Sequence, residues 1–159
     1  MSHITASDIR RQLQTQSDPN KAQASQRFFK TGPGQYGEGD RFLGLSVPQV
    51  RRFVRMHRTL QLPALLECLQ SPWHEERLFA LLLLVDRYRR SGTEDRTLLF
   101  SQYLDHLEYV NNWDLVDCSA PYIVGAYLLD KDATLLQTLT GSVSIWERRI
   151  AIIATFAGR

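Results

Sequence analysis

Residues Leu78 to Val85 read LFALLLLV, and this run decides the fold class. Wound as a helix, the run is apolar almost all round and has no polar face to turn toward solvent. A helix of this kind is expected to be buried between two others. We therefore predict that this helix, opened by Ser71-Pro72, is central to the fold.

Helix-start patterns recur on both sides of this run. Ser17-Asp18-Pro19 supplies a cap and a first-turn proline for a helix from Lys21 to about Phe29. Ser144 and Glu147 have the spacing of a capping box for the last helix. Further helices are predicted at Ile4 to about Gln16, from Ser46-Val47-Pro48, after Leu62-Pro63, at Glu94 to about Leu107, within Val110 to Gly125, and at Asp132 to about Leu139. No segment has a convincing strand pattern.

The short connections between these helices indicate the architecture. They favour antiparallel helix pairs, so we predict an all-α helical-repeat solenoid in a single domain, residues 1–159. In such a solenoid the second helix of each pair lines a concave face, and that face suits a long partner.

Composition is typical of a globular protein. The chain has 159 residues, 43% of them hydrophobic, and a formal net charge of only +2, so charge alone decides little about partners. Cys68 and Cys118 have no CxxC spacing and are interpreted as reduced core thiols. No run reaches the roughly 18 apolar residues of a membrane span, and the N-terminus has no apolar signal region. We expect a cytoplasmic, soluble protein.

Two motif fragments lack the context that their chemistry needs. Gly32 to Gly37 fits GxGxxG, but it follows a helix and contains a proline, so we predict a loop and not a nucleotide-binding turn. His74-Glu75 begins like HExxH, but Leu78 stands where the second histidine would be. We expect no metal site.

The run VNNWDLVDCSAPYIVG, Val110 to Gly125, carries the candidate site. It places Trp113 and Asp117 one helical turn apart, so an indole and a carboxylate project from one face. A carboxylate beside an apolar stripe must be paired, solvated or functional, because burying it alone is costly. Pro121 has no N–H to donate to the carbonyl of Asp117, which predicts a loosened or kinked backbone at this point.

Three blocks, in order along the chain, resemble the AlkD-type family of DNA alkylation repair proteins. The blocks are FFKTGPGQYGEGDRFLGLSVPQVR (Phe28 to Arg51), the run at Val110 to Gly125, and WERRIAII (Trp146 to Ile153). The resemblance implies a HEAT-like helical-repeat fold. It also implies a cytoplasmic, nucleoid-associated DNA glycosylase that removes cationic N3- and N7-alkylated purines from double-stranded DNA, without metal or organic cofactor.

The resemblance also implies how two residues would act on such a lesion. Asp117 would stabilise the oxocarbenium-like sugar that forms as the base leaves, and would position a water. Trp113 would lay its π surface against the same electron-poor sugar.

Four further residues are expected to contact DNA by the same resemblance. Arg149, in WERR, aligns with the family's functional arginine, and its planar fork suits a phosphate beside the lesion. Lys30 and Arg41, with the glycine-rich loop between them, are expected at the DNA backbone. Phe28 joins this set; family members commonly carry a tyrosine where Phe28 or Phe29 stands here.

Each role has a structural alternative. Trp113 is alternatively a core aromatic, and Asp117 an acid paired with an arginine of the next repeat. Asp114 is interpreted as the N3 residue of a cap begun by Asn111. For the whole chain, the alternatives are a DNA-binding module that has lost catalysis through truncation and a protein-interaction scaffold.

The C-terminus sets one more expectation. The chain stops at Ala157-Gly158-Arg159, within the ninth helical pattern, whereas the resembled family continues with further helices. A truncated copy is therefore expected. Its last helix would expose Ile150, Ile152 and Ile153 and favour self-association through the open end.

Overall fold

A computed structural model describes residues 3–129, 131 and 134–156. Helices and turns make up this part of the chain, and no strand occurs in it, so the predicted all-α class is confirmed. The helices are α1 (Ala6–Gln14), α2 (Pro19–Phe28), α3 (Val47–Met56), α4 (Leu62–Leu69), α5 (His74–Arg90), α6 (Thr93–Asp105), α7 (Trp113–Asp117), α8 (Ala126–Leu128), α9 (Thr134–Thr140) and α10 (Ile145–Ala154), with a 3-10 turn at Leu107–Tyr109 and a π-helical turn at Pro121–Gly125. The predicted helix start at Asp132 lies outside the described residues.

The chain divides into two compact units, Met1–Leu83 and Leu84–Arg159, and the boundary falls inside α5. Each unit is described by itself below. The assignment of residues 1–159 to a single domain stays a prediction, as does the concave face.

The predicted central helix is α5. Every residue from Leu78 to Val85 is between 0% and 7% exposed, so this stretch is buried all round, as its apolar run predicts. The helix begins at His74 and not at Ser71-Pro72. Ser71 instead closes the preceding turn, where its hydroxyl accepts the Trp73 N–H at 3.0 Å.

The first turn of α5 buries ionisable side chains, and two of them meet one acid of the first unit. Asp40 lies 2.6 Å from Nδ1 of His74 through one carboxylate oxygen, and 2.7 Å from the Arg77 guanidinium through the other. All three residues are buried. Separating these side chains would leave buried charges without partners, at a cost of several kcal/mol. The cluster therefore holds the loop before Phe42 against α5.

Glu75, the next residue of this turn, holds a stretch of backbone. Its carboxylate accepts the backbone N–H groups of Leu43, Gly44 and Leu45 at 2.8, 2.8 and 3.0 Å. These N–H groups are buried and have no strand to pair with, so the carboxylate takes the place of a sheet neighbour. Glu76 completes the turn by accepting the Arg10 guanidinium of α1 at 2.9 Å.

Several helix starts follow the predicted caps. The Asp18 carboxylate caps α2 and Pro19 is its first residue. Ser46 caps α3 in a reciprocal box with Gln49. Thr5 and Asp8 form a second such box at the start of α1. Local sequence therefore determines where these helices begin.

In the second unit α10 packs on α9, on α7 and on the π-helical turn. Ser144 caps α10 by accepting the Glu147 N–H. Of the isoleucines expected on an open face, Ile150 is fully buried and Ile152 is 57% exposed. The helix ends at Ala154, and the predicted stop at residues 157–159 lies outside the described residues.

Both cysteines are free, and only Cys68 is buried as its interpretation as a core thiol predicts. Burial, with a smaller contribution from nearby Glu76, raises the pKa of Cys68 to about 12, so this thiol stays protonated. Cys118 is only partly buried. None of the described helices combines the length and the apolar character needed to cross a bilayer.

We expect Glu75→Gln to lower the free energy of unfolding by about 2 to 4 kcal/mol, because the amide NH2 would face a buried backbone N–H that then loses its acceptor. The measurement is urea denaturation followed by circular dichroism. Glu38→Gln is the matched control, since Glu38 is exposed, and it should change stability by less than about 0.5 kcal/mol. Equal losses for both variants would contradict the assigned role of Glu75.

A second prediction concerns the backbone that Glu75 holds. Gly44 has φ +88°, and a Cβ there would lie 2.0 Å from the Asp18 carbonyl oxygen. Gly44→Ala should therefore cost more than about 3 kcal/mol, since backbone strain and overlap add. Gly34, with φ +76° and open space around it, is the control, and Gly34→Ala should cost about 1 to 2 kcal/mol from strain alone. Thermal denaturation of the two variants measures the difference.

Candidate functional site

Helix α7 begins at a buried asparagine. The Asn112 side chain is fully buried and accepts the Trp113 N–H at 2.9 Å. The cap is thus Asn112 and not Asn111, which is exposed, and Asp114 is the second helical residue instead of the third. The sequence alone could not tell which of the two adjacent asparagines caps the helix, because either side chain can do so. The structure shows that the buried one is the cap.

The helix ends at Asp117, where the predicted break occurs. Pro121 opens a π-helical turn, a form that is rare and frequent at functional sites. Between the two, the Ser119 hydroxyl donates to the Leu115 carbonyl at 2.6 Å and lies 2.8 Å from the Tyr103 hydroxyl. Ser119 and Tyr103 are fully buried, so this link fixes the backbone after Asp117 to α6.

Helix α7 presents a buried side and a partly exposed side. Leu115 and Val116 are fully buried, whereas Trp113 and Asp117 are partly exposed. The alternative in which Trp113 is a core aromatic would bury the whole indole. Trp113 is instead partly exposed, and it lies one turn from the Asp117 carboxylate.

Asp117 is held by Arg149 of α10. The guanidinium donates Nε to one carboxylate oxygen at 2.8 Å and Nη2 to the other at 2.7 Å. This two-pronged geometry is the strongest form of arginine–carboxylate pairing. Two residues chosen separately from the sequence are therefore one unit, and the pairing matches the alternative in which Asp117 meets an arginine of a following helix.

The fork has an electrostatic consequence for Arg149. The hydrogen bond from Arg149 to Asp117 raises the pKa of the guanidinium, against a smaller opposing effect of burial. The Asp117 side chain is 36% exposed and the Arg149 side chain is 39% exposed. Water and ions reach a pair of this kind, so it stabilises the fold only slightly and can exchange partners.

The neighbouring arginine behaves differently from Arg149. Arg148 donates to the Ser142 carbonyl at 2.7 Å and is half-buried. Trp146 is half-buried as well.

The other residues that are expected to contact DNA, Phe28, Lys30 and Arg41, lie in the first unit. Phe28 is 65% exposed and packs edge-on against Phe29, with ring centroids 5.1 Å apart. Lys30 is exposed and sits in the left-handed region at φ +54°. The exposed Arg41 guanidinium lies 5.6 Å from the Trp73 ring centroid. The intervening segment, Gly32 to Gly37, is a loop as predicted.

No group of three or more His, Cys, Asp or Glu side chains in the described part of the chain is arranged to hold a metal ion. The HExxH-like start has another role. The His74 ring stacks on Phe42 with centroids 4.4 Å apart, and its Nδ1 contacts Asp40.

Comparison with known families decides the relationship of the chain. A sequence profile described as DNA alkylation repair enzyme matches residues 9–157. The chain belongs to this family. No curated protein matches it by sequence.

Membership of the DNA alkylation repair family indicates a role in repairing alkylated DNA, with DNA as the substrate. The matched region contains the whole of the Asp117–Arg149 unit, the Trp113 indole and the exposed Phe28, Lys30 and Arg41.

The exposure of the Asp117–Arg149 pair leads to a stability prediction. Asp117→Asn should change the free energy of unfolding by less than about 1 kcal/mol, because the pair is solvated. Asp40→Asn is the matched contrast and should cost about 3 to 5 kcal/mol, since it leaves Arg77 buried beside a neutral amide. Urea denaturation compares them. A large loss for Asp117→Asn would make Asp117 a structural residue.

Proposed function

We propose that this member of the DNA alkylation repair family is a DNA glycosylase for cationic N3- and N7-alkylated purines. The observation that carries the proposal is the Asp117 carboxylate, which is partly exposed at the end of α7, oriented by Arg149, and one turn from the Trp113 indole. The substrate is double-stranded DNA, and the reaction uses neither metal nor organic cofactor. The proposed location is the cytoplasm, in association with the nucleoid.

The chemistry of the leaving group sets what the protein must supply. Alkylation at N3 or N7 makes the purine cationic, so it leaves with the electron pair of the C1′–N bond as a neutral base. No acid is needed to protonate it. Positive charge develops on the sugar, water adds to C1′, and loss of a proton leaves an abasic site. The remaining requirement is a negative charge and a positioned water near C1′.

Asp117 supplies that negative charge once Arg149 has left it to bind another group. In the described structure both carboxylate oxygens are taken by the guanidinium, which largely compensates the negative charge. A DNA phosphate offers arginine the same two-pronged geometry. Transfer of Arg149 from Asp117 to a phosphate would keep the guanidinium paired and leave the carboxylate facing the sugar.

Trp113 would complete the surroundings of the sugar cation. An aromatic face attracts a cation by about 0.5 to 2 kcal/mol, depending on how far water is excluded. The positive charge moves from the purine to the sugar only as the base leaves, so an aromatic face against the sugar favours the transition state over the bound substrate. Phe28, Lys30 and Arg41 are proposed as further DNA contacts, through their exposed ring and cationic groups.

The occupied carboxylate also favours a second candidate function. If the Asp117–Arg149 pair stays closed on DNA, the chain binds or senses damage without releasing a base. The two candidates differ in a single measurable event, the appearance of free alkylpurine.

We expect Asp117→Asn to reduce release of 7-methylguanine from methylated duplex DNA by about 100-fold or more, because the amide cannot stabilise the sugar cation. Single-turnover release of free base, with the variant's DNA affinity measured in parallel, tests this. Asp105→Asn is the control, since Asp105 is exposed at the end of α6, and it should release base at the parent rate. Absence of release by the parent, or equal rates for parent and Asp117→Asn, would falsify the glycosylase proposal.

A further inference from the structure

Two adjacent arginines near the end of α5 have different surroundings. Arg90 is ion-paired with Asp86 one turn earlier, with Nε 2.9 Å from the carboxylate. Arg89 is exposed, and its guanidinium lies over the Tyr122 ring, 4.9 Å from the centroid. In the part of the chain that the structure describes, no carboxylate pairs with Arg89.

The aromatic partner of Arg89 is firmly placed. Tyr122 belongs to the π-helical turn that follows the Asp117 break. Its neighbours Ile123 and Val124 are fully buried, and they anchor the turn in the second unit. Tyr122 itself is 44% exposed, so its ring lies at the surface of a turn that its buried neighbours hold in place.

The backbone beneath Arg89 is held as well. Arg96 of α6 donates Nε to the Tyr88 carbonyl at 3.0 Å and Nη2 to the Arg89 carbonyl at 3.2 Å. These carbonyls lie in the last turn of α5, where the Tyr88 carbonyl also accepts the Ser91 N–H at 3.2 Å. Both the main chain and the side chain of Arg89 are therefore positioned before any ligand arrives.

A guanidinium held in this way is suited to an anion with several oxygens. The π face of the Tyr122 ring attracts the charge but accepts no hydrogen bond in the plane of the guanidinium, so the N–H groups stay available for hydrogen bonds. A phosphodiester group accepts such bonds from a planar fork. Arg90 is less suited to this role, because a phosphate would first have to displace the Asp86 carboxylate.

We propose that Arg89, supported by Tyr122, binds a phosphate of the DNA backbone. The inference takes its partner, duplex DNA, from the proposed function, but it does not depend on base release. It adds a contact at the π-helical turn to the contacts proposed for Phe28, Lys30, Arg41 and Arg149.

The test compares the adjacent arginines. Binding of a labelled, undamaged duplex is measured from roughly 50 to 200 mM salt, where each lost phosphate contact lowers the slope of log affinity against log salt by about 0.9. We expect Arg89→Ala to lower the slope by this amount and to weaken binding about three- to tenfold at the lower salt concentrations. Arg90→Ala should change the slope less than Arg89→Ala does, because a phosphate would first have to displace Asp86 from Arg90.

A double-mutant cycle tests the role of Tyr122. Tyr122→Leu keeps apolar bulk but removes the aromatic ring, so it should weaken duplex binding in the parent. In the Arg89→Ala background the same change should have no further effect. Circular dichroism and thermal unfolding confirm that each variant is folded.

Each outcome decides for or against the contact. Equal slopes for Arg89→Ala and Arg90→Ala, or additive losses in the cycle, overturn it. Binding of polyglutamate is measured in the same way. A parent protein that binds polyglutamate through Arg89 but binds no duplex also overturns the proposal, since the partner would then be an acidic protein. A parent that binds duplex through Arg89 but releases no alkylpurine contradicts the glycosylase proposal and supports this inference.

Discussion

The burial of ionisable side chains at the start of α5 is the constraint on which the first unit depends. His74, Glu75, Glu76 and Arg77 are all buried, so each needs a partner that is itself fixed in place. Those partners come from α1 and from the segment 40–45, which has no regular secondary structure of its own. The carboxylate of Glu75 thereby holds a backbone that neither a helix nor a strand would stabilise.

The second unit contains an ion pair of the same residue types, but that pair is less buried. Asp40 and Arg77 form a buried pair that cannot open without a large loss of free energy. Asp117 and Arg149 form an equally short pair that is partly exposed, and separating them costs little. Burial, and not distance, distinguishes a structural ion pair from one that can exchange its partner.

Local sequence was a sound guide to most helix starts and to the central helix. Asp18, Ser46 and Ser144 cap the helices that they were expected to cap, because a side chain reaches a nearby N–H whatever the rest of the fold does. The choice between Asn111 and Asn112 failed, since it depends on which of them the core buries. The break after Asp117 was predictable because proline lacks an N–H in every context.

The sequence by itself determined the all-α class, the position of the central helix, and the indole and acid of α7, because hydrophobic pattern, proline chemistry and helical spacing act within a few residues of the chain. Only the tertiary structure decided that Asp117 and Arg149 form one unit and that Glu75 supports a loop. It also decided that Arg89 rests on Tyr122 while Arg90 pairs with Asp86. The physical reason is that a charged side chain can take any partner within its reach. Which partner comes within reach is set by how distant segments of the chain pack together.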